Sequence, residues 1–377
     1  MRIFKLSAVV TAFLSTFSVY ATTTTASLGS LGTYSLLTVP TSAGTSTFGT
    51  GINDYGTIIG YSQNGAGVQT SFIYSNGQKT NLGTLGGAST RAVAINNSNQ
   101  IVGTSQTTSG TWNAFIYSNG AMHDLGNFGF NGATGSSINN NGTYAINAYQ
   151  PRDNGTSFIC NGATCENVQP TNSYWSTVSH INDSGYAVGG IGTAGYGSYQ
   201  AAFWQPGSYS TPTVNGMFNS FATSINNKNQ VIGWGNGYSN LAAIYYSSPS
   251  APEQDTGVYF GGNGNWSSAS AINDLGTFIG LSYVTNGARH SFISYGGETY
   301  DLTSFFGFQV EDSNSNQLNQ GNMMVGTIQT EWGFQAAILV PDSVPAITAA
   351  VPEPETYALM LAGLGLVGFM ARRRKAK

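Results

Sequence analysis

This 377-residue chain carries very little charge, since Asp, Glu, Lys and Arg together make up only 7% of it. Seven of its twelve basic residues lie among the first five and the last six positions. Setting aside Glu353 and Glu355 near the C-terminus, the body holds five basic residues against fourteen acidic ones, a formal charge of about −9. A body with this charge lacks the basic surface that binds phosphates, so DNA and RNA are excluded as partners.

Side chains that ligate metals or act as nucleophiles are also scarce. The three histidines, His123, His180 and His290, occupy non-equivalent places in the sequence, which argues against a zinc site. No serine is predicted to lie near both a histidine and an aspartate, and no phosphate loop or dinucleotide fingerprint is present. We therefore expect neither a metal nor an organic cofactor.

Only two cysteines occur, Cys160 and Cys165, and they flank an Asn-Gly turn at residues 161–162. In an exported chain this spacing favours a disulfide across a hairpin, with two free thiols as the alternative. So small a closed loop would contribute only modestly to stability.

Glycine, in contrast, is abundant, with 50 residues, and one nine-residue phrase occurs seven times. The phrase begins with Ile-Asn or Leu-Asn and usually ends in Gly. Its copies start at Ile52, Ile95, Ile138, Ile181, Ile225, Ile272 and Leu318. The copies are 43, 43, 43, 44, 47 and 46 residues apart, and such a period is typical of repeat proteins whose units bury their apolar faces only by stacking.

The phrase predicts a tight turn between two strands. Its fifth residue is always Gly or Asn, the two types that adopt positive φ most readily, which favours a type I turn followed by a bulge. These fifth residues are Gly56, Asn99, Gly142, Gly185, Asn229, Gly276 and Asn322. Asp54, Asp183 and Asp274 share the third position with Asn, so we interpret them as turn residues rather than calcium ligands.

Two further strands follow each phrase. About twenty residues after each phrase begins, an alternating apolar stretch such as SFIYSNG from Ser71 predicts a third strand, and segments such as KTNLGTLGG from Lys79 predict a fourth. Four short antiparallel strands per repeat make one blade of a β-propeller. The sequence thus predicts an all-β fold, a seven-bladed propeller over residues 28–340. A linear β-solenoid, the alternative, would need end caps that are not evident.

The two ends of the repeat region predict how the ring closes. The seventh repeat reaches Pro341 without a fourth strand of its own, whereas the segment GTYSLLTVP from Gly32 stands before the first repeat, where a fourth strand belongs. We therefore expect the N-terminal strand to complete the last blade and so remove a free sheet edge.

The N-terminus predicts export. Residues 1–21 combine a short basic start, an apolar run from Leu6 to Tyr20 and small residues suited to signal peptidase, so they are interpreted as a secretory signal peptide. A membrane anchor is the alternative, but the apolar run is short for one.

The C-terminal segment 351–377 carries a distinctive three-part motif: Pro352-Glu353-Pro354 after Val351, an apolar stretch from Tyr357 to Met370, and a basic cluster containing Arg372, Arg373 and Arg374. It resembles the PEP-CTERM sorting signal of Gram-negative bacteria, preceded by a linker at 341–350. The resemblance implies that the apolar stretch is a hydrophobic sorting helix inserted transiently in the inner membrane, that an exosortase cleaves the chain, and that the protein passes to the cell surface or extracellular matrix. A permanent membrane anchor is the alternative.

The repeats resemble the extracellular HAF repeat family, in which a His-Ala-Phe triplet opens the third strand and DLGTLGG ends the fourth. NLGTLGG from Asn81 and DLGNFGF from Asp124 carry this resemblance, and His290-Ser291-Phe292 is the nearest copy of the triplet. The resemblance covers nearly the whole body, and it implies no established chemistry for any residue.

The links between second and third strands are the most plausible place for a ligand, because propellers commonly bind through the loops of one face. Aromatic side chains there could stack on sugar rings, or they could simply pack the rim. These candidate glycan-binding residues are Tyr61, Tyr149, Tyr196, Trp234, Tyr283 and Trp332.

An enzymatic alternative rests on Arg91, Arg152 and Arg289, which would share that face and resemble the arginine cluster of sialidases. The segment INDLGTF from Ile272 also faintly resembles the Asp-box turn of those propellers. A sialidase-like glycan hydrolase would further need a Tyr nucleophile, a Glu and a separate acid, none of which the sequence assigns. We therefore expect a non-enzymatic surface or matrix protein, with exopolysaccharide as its partner.

Overall fold

The computed structural model describes residues 24–342 apart from 43, 151–154, 172, 193–198, 210–212, 215–218, 236–241, 249–250, 253, 262–265, 312–315 and 332. The predicted signal peptide and the C-terminal sorting segment lie outside this range. In the part that is described, no helix has the length and apolar character needed to cross a membrane.

The described residues form 29 strands. The first fourteen are β1 (Thr24–Ser27), β2 (Thr33–Thr38), β3 (Thr45–Ile52), β4 (Ile58–Asn64), β5 (Gln69–Ser75), β6 (Gln78–Asn81), β7 (Gly86–Ile95), β8 (Ile101–Thr107), β9 (Trp112–Ser118), β10 (Ala121–Gly126), β11 (Gly132–Ile138), β12 (Thr143–Tyr149), β13 (Thr156–Asn161) and β14 (Thr164–Asn167).

The remaining strands are β15 (Trp175–Ile181), β16 (Ala187–Gly192), β17 (Tyr199–Trp204), β18 (Thr213–Val214), β19 (Ser220–Ile225), β20 (Val231–Gly235), β21 (Ala242–Tyr246), β22 (Gln254–Asp255), β23 (Ser267–Ile272), β24 (Phe278–Tyr283), β25 (Arg289–Tyr295), β26 (Glu298–Asp301), β27 (Phe308–Gln309), β28 (Met324–Thr330) and β29 (Gly333–Pro341). A 3₁₀ turn spans Gly29–Leu31, and one short helix, α1, spans Leu302–Phe306.

The strands pair into six sheets, arranged as in a β-propeller. Four sheets have four strands each: β3–β6, β15–β18, β19–β22 and β23–β26. A fifth has the order β1-β2-β29-β28-β27, and the sixth joins β7–β14 in eight strands. Five of the six sheets are separate blades and the sixth joins two repeats, so the prediction of seven blades is wrong. The reason is a parallel pairing of Gly132 with Trp112, which merges the second and third repeats into one sheet.

The predicted role of the N-terminal strand is confirmed. Strand β2 pairs antiparallel with β29, with Tyr34 opposite Pro341 and Thr38 opposite Ala337. Its side chains Tyr34 and Leu36 are buried in a hydrophobic core cluster that also contains Leu339 of β29. Strand β1 pairs with the outer side of β2 as a fifth strand, which the sequence did not predict.

The turns also form as predicted. In the first repeat, the Gly56 amide donates to the Asn53 carbonyl and the Asn53 amide donates to the Thr57 carbonyl, which is a type I turn with a bulge. All seven fifth-position residues have positive φ, from 57° at Asn99 to 82° at Gly185.

The glycine that ends most copies of the phrase is required for a different reason, which is steric. A Cβ on Gly60 would lie 2.0 Å from the Phe48 carbonyl oxygen and 2.7 Å from the Phe72 ring. The ring of the third strand thus packs directly over the second strand, and only glycine leaves room for it. The third repeat has Ile146 at this position instead.

Candidate functional site

The second-position asparagines form a closed ring of hydrogen bonds. Each Nδ2 atom donates to the backbone carbonyl of the next asparagine at 2.8–3.2 Å, and the last, Asn319, donates to Asn53 at 3.0 Å. All seven side chains are at most 4% exposed. The members of this asparagine ring are Asn53, Asn96, Asn139, Asn182, Asn226, Asn273 and Asn319.

The oxygen of each side chain is used as well. Asn139 Oδ1 accepts hydrogen bonds from the Asn141 and Thr143 amides at 3.1 and 2.8 Å, which fixes the turn in its own repeat. One side chain therefore holds a local turn and links two repeats, and this explains why the second position is Asn throughout.

A second ring lies at the third position of the phrase. The backbone amide of each residue donates to a side-chain oxygen of the next, at 2.7–3.0 Å, and the ring again closes from the seventh repeat to the first. Its members are Asp54, Asn97, Asn140, Asp183, Asn227, Asp274 and Gln320. Because Asp, Asn and Gln all present such an oxygen, they can replace each other here, as the turn interpretation predicts. Over the described ranges no cluster suited to a metal ion is found.

The two rings surround a narrow polar cavity of about 100 Å³, in which His180 is the one histidine among the lining residues. His180 Nδ1 accepts a hydrogen bond from the Ile225 amide at 3.2 Å and lies 3.1 Å from Ser224 Oγ. Burial lowers the pKa of His180 to about 4, although Asp183 and Asp274 oppose this. The imidazole is therefore neutral at pH 7 and serves as an acceptor between repeats.

A larger cavity, about 480 Å³, lies toward the opposite ends of the strands, where second and third strands are linked. We call it the aromatic cavity. Blades formed by the first, sixth and seventh repeats supply its walls: Phe48, Tyr61, Leu281, Ala288, Arg289, Gln309, Val310, Glu311, Thr327 and Phe334. Its volume is within the range of small-molecule binding sites.

Of the candidate glycan-binding residues that the structure describes, only Tyr61 lines this cavity, and two other side chains lie against its ring. Phe48 stacks against it at a centroid distance of 4.9 Å, and the Arg91 guanidinium lies 4.9 Å from its centroid. Tyr61 is only 6% exposed. Burial raises its pKa, Glu311 adds to the increase, and Arg91 opposes it. Its ring cannot stack on a sugar in this conformation.

The other candidates are dispersed. Tyr149 is 43% exposed at the end of β12. Trp234 stacks on Phe221 at 5.7 Å, and Tyr283 packs against Trp266 at 4.9 Å. Tyr196 and Trp332 lie outside the described residues, as does Arg152.

Two of the three body arginines lie at or beside the aromatic cavity. Arg91 Nη2 binds Glu311 Oε2 at 3.0 Å, so a side chain of the second repeat reaches the seventh. Arg289 begins β25, is exposed, and lines the cavity directly. The sequence placed these arginines on one face, but it gave no sign of Phe48, Phe334 or Glu311, which share no position in the repeat.

Contrary to the sequence expectation, one serine does lie near a histidine and an aspartate. His290 Nδ1 is 2.7 Å from Asp301 Oδ2, and Ser304 Oγ donates to the same oxygen at 2.7 Å. Ser304 Oγ also lies 3.4 Å from His290 Nδ1, the same nitrogen that binds Asp301, whereas a hydrolase triad uses the two imidazole nitrogens for separate partners, so this is not a hydrolase triad. Burial pushes the Asp301 pKa up, but the hydrogen bonds from Ser304 and His290 outweigh it and hold the pKa below its usual value.

This cluster also gives the nearest copy of the His-Ala-Phe triplet a structural role. Asp301 caps helix α1 by accepting from the Ser304 amide at 2.9 Å, and His290 ties the third strand to that cap. Asn113 binds Asp124 in the same way in the second repeat, at 2.9 and 3.0 Å.

The predicted disulfide is present. Cys160 and Cys165 face each other across the β13–β14 hairpin and are bonded. Cys160 is fully buried in the core that the third repeat shares with the second.

Comparison with known proteins supports both the C-terminal signal and the fold. Residues 350–375 match the PEP-CTERM protein-sorting motif. The β-propeller domain of the Trilobed protease from Pyrococcus furiosus, which has an open velcro topology, is similar over 73% of this chain and 95% of that one, with 10% identity and a TM-score of 0.50. No curated protein is detectably similar in sequence.

A prolyl endopeptidase structure is similar over 83% of this chain, with 8% identity and a TM-score of 0.55, but this chain matches only 50% of its length. At such identities the likeness shows the propeller fold alone.

Proposed function

We propose that the protein is an exported, exosortase-processed β-propeller that acts at the cell surface or in the extracellular matrix of a Gram-negative bacterium. The observation that carries this proposal is the match of residues 350–375 to the PEP-CTERM motif, joined to a propeller body. The secretory signal at 1–21 and inner-membrane insertion before cleavage belong to the same proposal, with signal peptidase and exosortase as processing partners.

We further infer that the body consists of seven repeats of the HAF type. The asparagine ring has seven members and closes on itself, which supports seven equivalent repeats. The eight-stranded sheet then represents two neighbouring repeats, β7–β10 and β11–β14, joined by the Gly132–Trp112 bridge.

The proposed role is non-enzymatic, with exopolysaccharide as the bound partner. A glycan-acting hydrolase is the second candidate, because Tyr61, Glu311 and two arginines gather at the aromatic cavity. A Tyr nucleophile, however, needs its proton removed, and burial raises the pKa of Tyr61. Glu311 forms an ion pair with Arg91 at 3.0 Å, which holds its carboxylate in a salt bridge. Binding is therefore the better supported role.

The sorting proposal has a direct test. Replacing Pro352, Glu353 and Pro354 with Ala should leave export intact but block cleavage, so that an unprocessed membrane-bound form accumulates in the native host. Each Pro fixes its own φ and biases the residue before it away from helix, which keeps the cleavage segment extended. Intact-mass measurement of the released protein decides the question. A mature species that still carries Arg372 and the residues after it would show that the segment is an anchor or is inert.

A further inference from the structure

The aromatic cavity contains one positive charge, that of Arg289, which pairs with no described group. Among the described residues Arg289 makes neither an ion pair nor a side-chain hydrogen bond, and it is exposed. The other charged lining residue, Glu311, is already paired with Arg91 at 3.0 Å. The cavity therefore has a net positive character, although the body as a whole carries about five basic residues against fourteen acidic ones.

The wall beside this charge is aromatic. Phe334 is 39% exposed and lies 5.6 Å from Phe48, measured between ring centroids. An exposed phenyl ring at a cavity mouth offers an apolar face on which the C–H face of a sugar ring can pack. Gln309, which is exposed on the same wall, adds an amide that can both donate and accept hydrogen bonds to hydroxyl groups.

Resting on the proposed binding role, we propose that this cavity binds a carboxylated sugar unit of an acidic polysaccharide. The Arg289 guanidinium pairs with the sugar carboxylate, since its planar fork suits two parallel N–H···O bonds. Phe334 packs against the sugar ring, and Gln309 contacts its hydroxyls. The Arg91–Glu311 pair keeps the Glu311 carboxylate from repelling the ligand.

Calorimetry with the full-length protein in a non-carbohydrate detergent tests whether the aromatic cavity binds a carboxylated sugar. The probes are trigalacturonate, which carries a carboxylate on each ring, and maltotriose, a neutral chain of the same length. Wild-type protein should bind trigalacturonate and bind maltotriose about 10-fold more weakly or worse, because a charge-assisted pair contributes about 1.5–3 kcal/mol. Arg289→Ala should remove this preference, and Arg289→Lys should keep only part of it.

Two further variants separate the ring contact from general effects. Phe334→Ala should weaken trigalacturonate binding, whereas Tyr55→Ala, at a 68% exposed aromatic in a turn at the opposite ends of the strands, should change nothing. Thermal melting of each variant verifies that it is folded.

The outcomes distinguish this site from the wider proposal. Trigalacturonate binding that survives Arg289→Ala, or equal binding of maltotriose, would overturn the carboxylate assignment while leaving a glycan-binding role intact. Competition by free acetate at the same affinity would show an anion site rather than a sugar site. Absence of binding to either probe, with retention on host exopolysaccharide, would also overturn the assignment, whereas absence of both would count against the proposed binding role itself.

Discussion

The second-position asparagine links neighbouring repeats through its buried side chain. In Asn139 the side-chain oxygen accepts from two amides of its own turn, and the nitrogen donates to the Asn182 carbonyl at 2.8 Å. Aspartate would lose the donor, and glutamine is one carbon longer. Asparagine alone provides both functions at this distance from the backbone.

We expect Asn139→Ala to destabilise the protein by about 2–4 kcal/mol, because it leaves buried backbone groups without partners in two repeats. Ser98→Ala, an exposed position in the turn of the second repeat, is the control and should change stability by less than about 0.5 kcal/mol. Chemical denaturation measures both. Equal stability of the two variants would mean that the asparagine ring contributes little.

A second residue-scale prediction concerns the left-handed position. Gly276 has φ of 80°, and the space that a side chain would enter there is open. Gly276→Val should cost about 1–3 kcal/mol, since a β-branched residue is strained at this φ. Gly276→Asn should be nearly neutral, as Asn229 adopts φ of 60° at the same position. Equal melting temperatures for Val and Asn would contradict the turn assignment.

His180 should make stability depend on pH. Its folded pKa of about 4 lies below the unfolded value of 6.5, so the unfolded chain binds more protons between these values. The contribution of neutral His180 to the free energy of unfolding is complete above pH 6.5. It is lost as the pH falls toward 4, and the loss is about 2 kcal/mol at pH 5.

The matched variant is His180→Ser, because Ser137 occupies the equivalent place and its Oγ accepts the Ile181 amide at 3.1 Å. This variant should keep the contact between repeats and lose the stability difference between pH 7 and pH 5. If wild type and variant show the same difference by chemical denaturation, His180 is not the titrating group.

The sequence could predict the turn residues because φ preference is local: Gly56 and Asn99 needed no knowledge of the fold. It could not predict the asparagine ring, since the acceptor of each Nδ2 atom is 43–47 residues away, or 266 residues away where Asn319 closes the ring. The recurrence of Asn in every phrase was visible, and only the closed arrangement explains it. The aromatic cavity was even harder to predict from the sequence, because Phe334 and Arg289 come from different repeats at non-equivalent positions.

At the scale of elements, the N-terminal strand is decisive because it completes a sheet whose other strands lie at the far end of the chain. Its buried residues Tyr34 and Leu36, together with Leu28 from the segment before it, pack in the same cluster as Met324 and Leu339. The sequence predicted this pairing because the last repeat lacked a strand and a matching segment stood before the first. It did not predict β1, whose pattern of four mostly exposed residues carries no apolar signal.

Deleting residues 28–40 should therefore abolish cooperative unfolding and cause aggregation, since β29 would become an open edge. Deleting only Thr24–Ser27 is the control, and it should leave a soluble protein because β1 lies outside β2 and is largely exposed. Size-exclusion chromatography and thermal melting report both outcomes. A soluble, equally stable 28–40 deletion would show that β2 does not close the fold.

The blade count shows a limit of sequence patterns at this scale. Seven phrases predict seven units, and seven asparagines do close a ring, but hydrogen bonding merges two units through Gly132. A single backbone bridge between neighbouring strands has no sequence signal, because it involves no side chain. Repeat counts therefore predict rings more reliably than they predict separate sheets.

At the scale of the whole molecule, the C-terminal sorting motif and the propeller body provide separate information. Residues 350–375 indicate where the protein goes, and the propeller indicates what it can present there. The polar groups of the two rings are engaged with one another, and the aromatic cavity is the larger of the two cavities described above. This division is consistent with the proposed binding role.

We propose that the processed protein binds matrix polysaccharide and leaves it intact. One experiment tests both the binding and the absence of cleavage. Protein released from the native host is incubated with that host's purified exopolysaccharide and then sedimented. The chain length of the polysaccharide is followed by light scattering. We predict that the protein sediments with the polysaccharide and that the chain length stays constant. Progressive shortening of the polysaccharide, or protein that remains entirely in the supernatant, would contradict the claim.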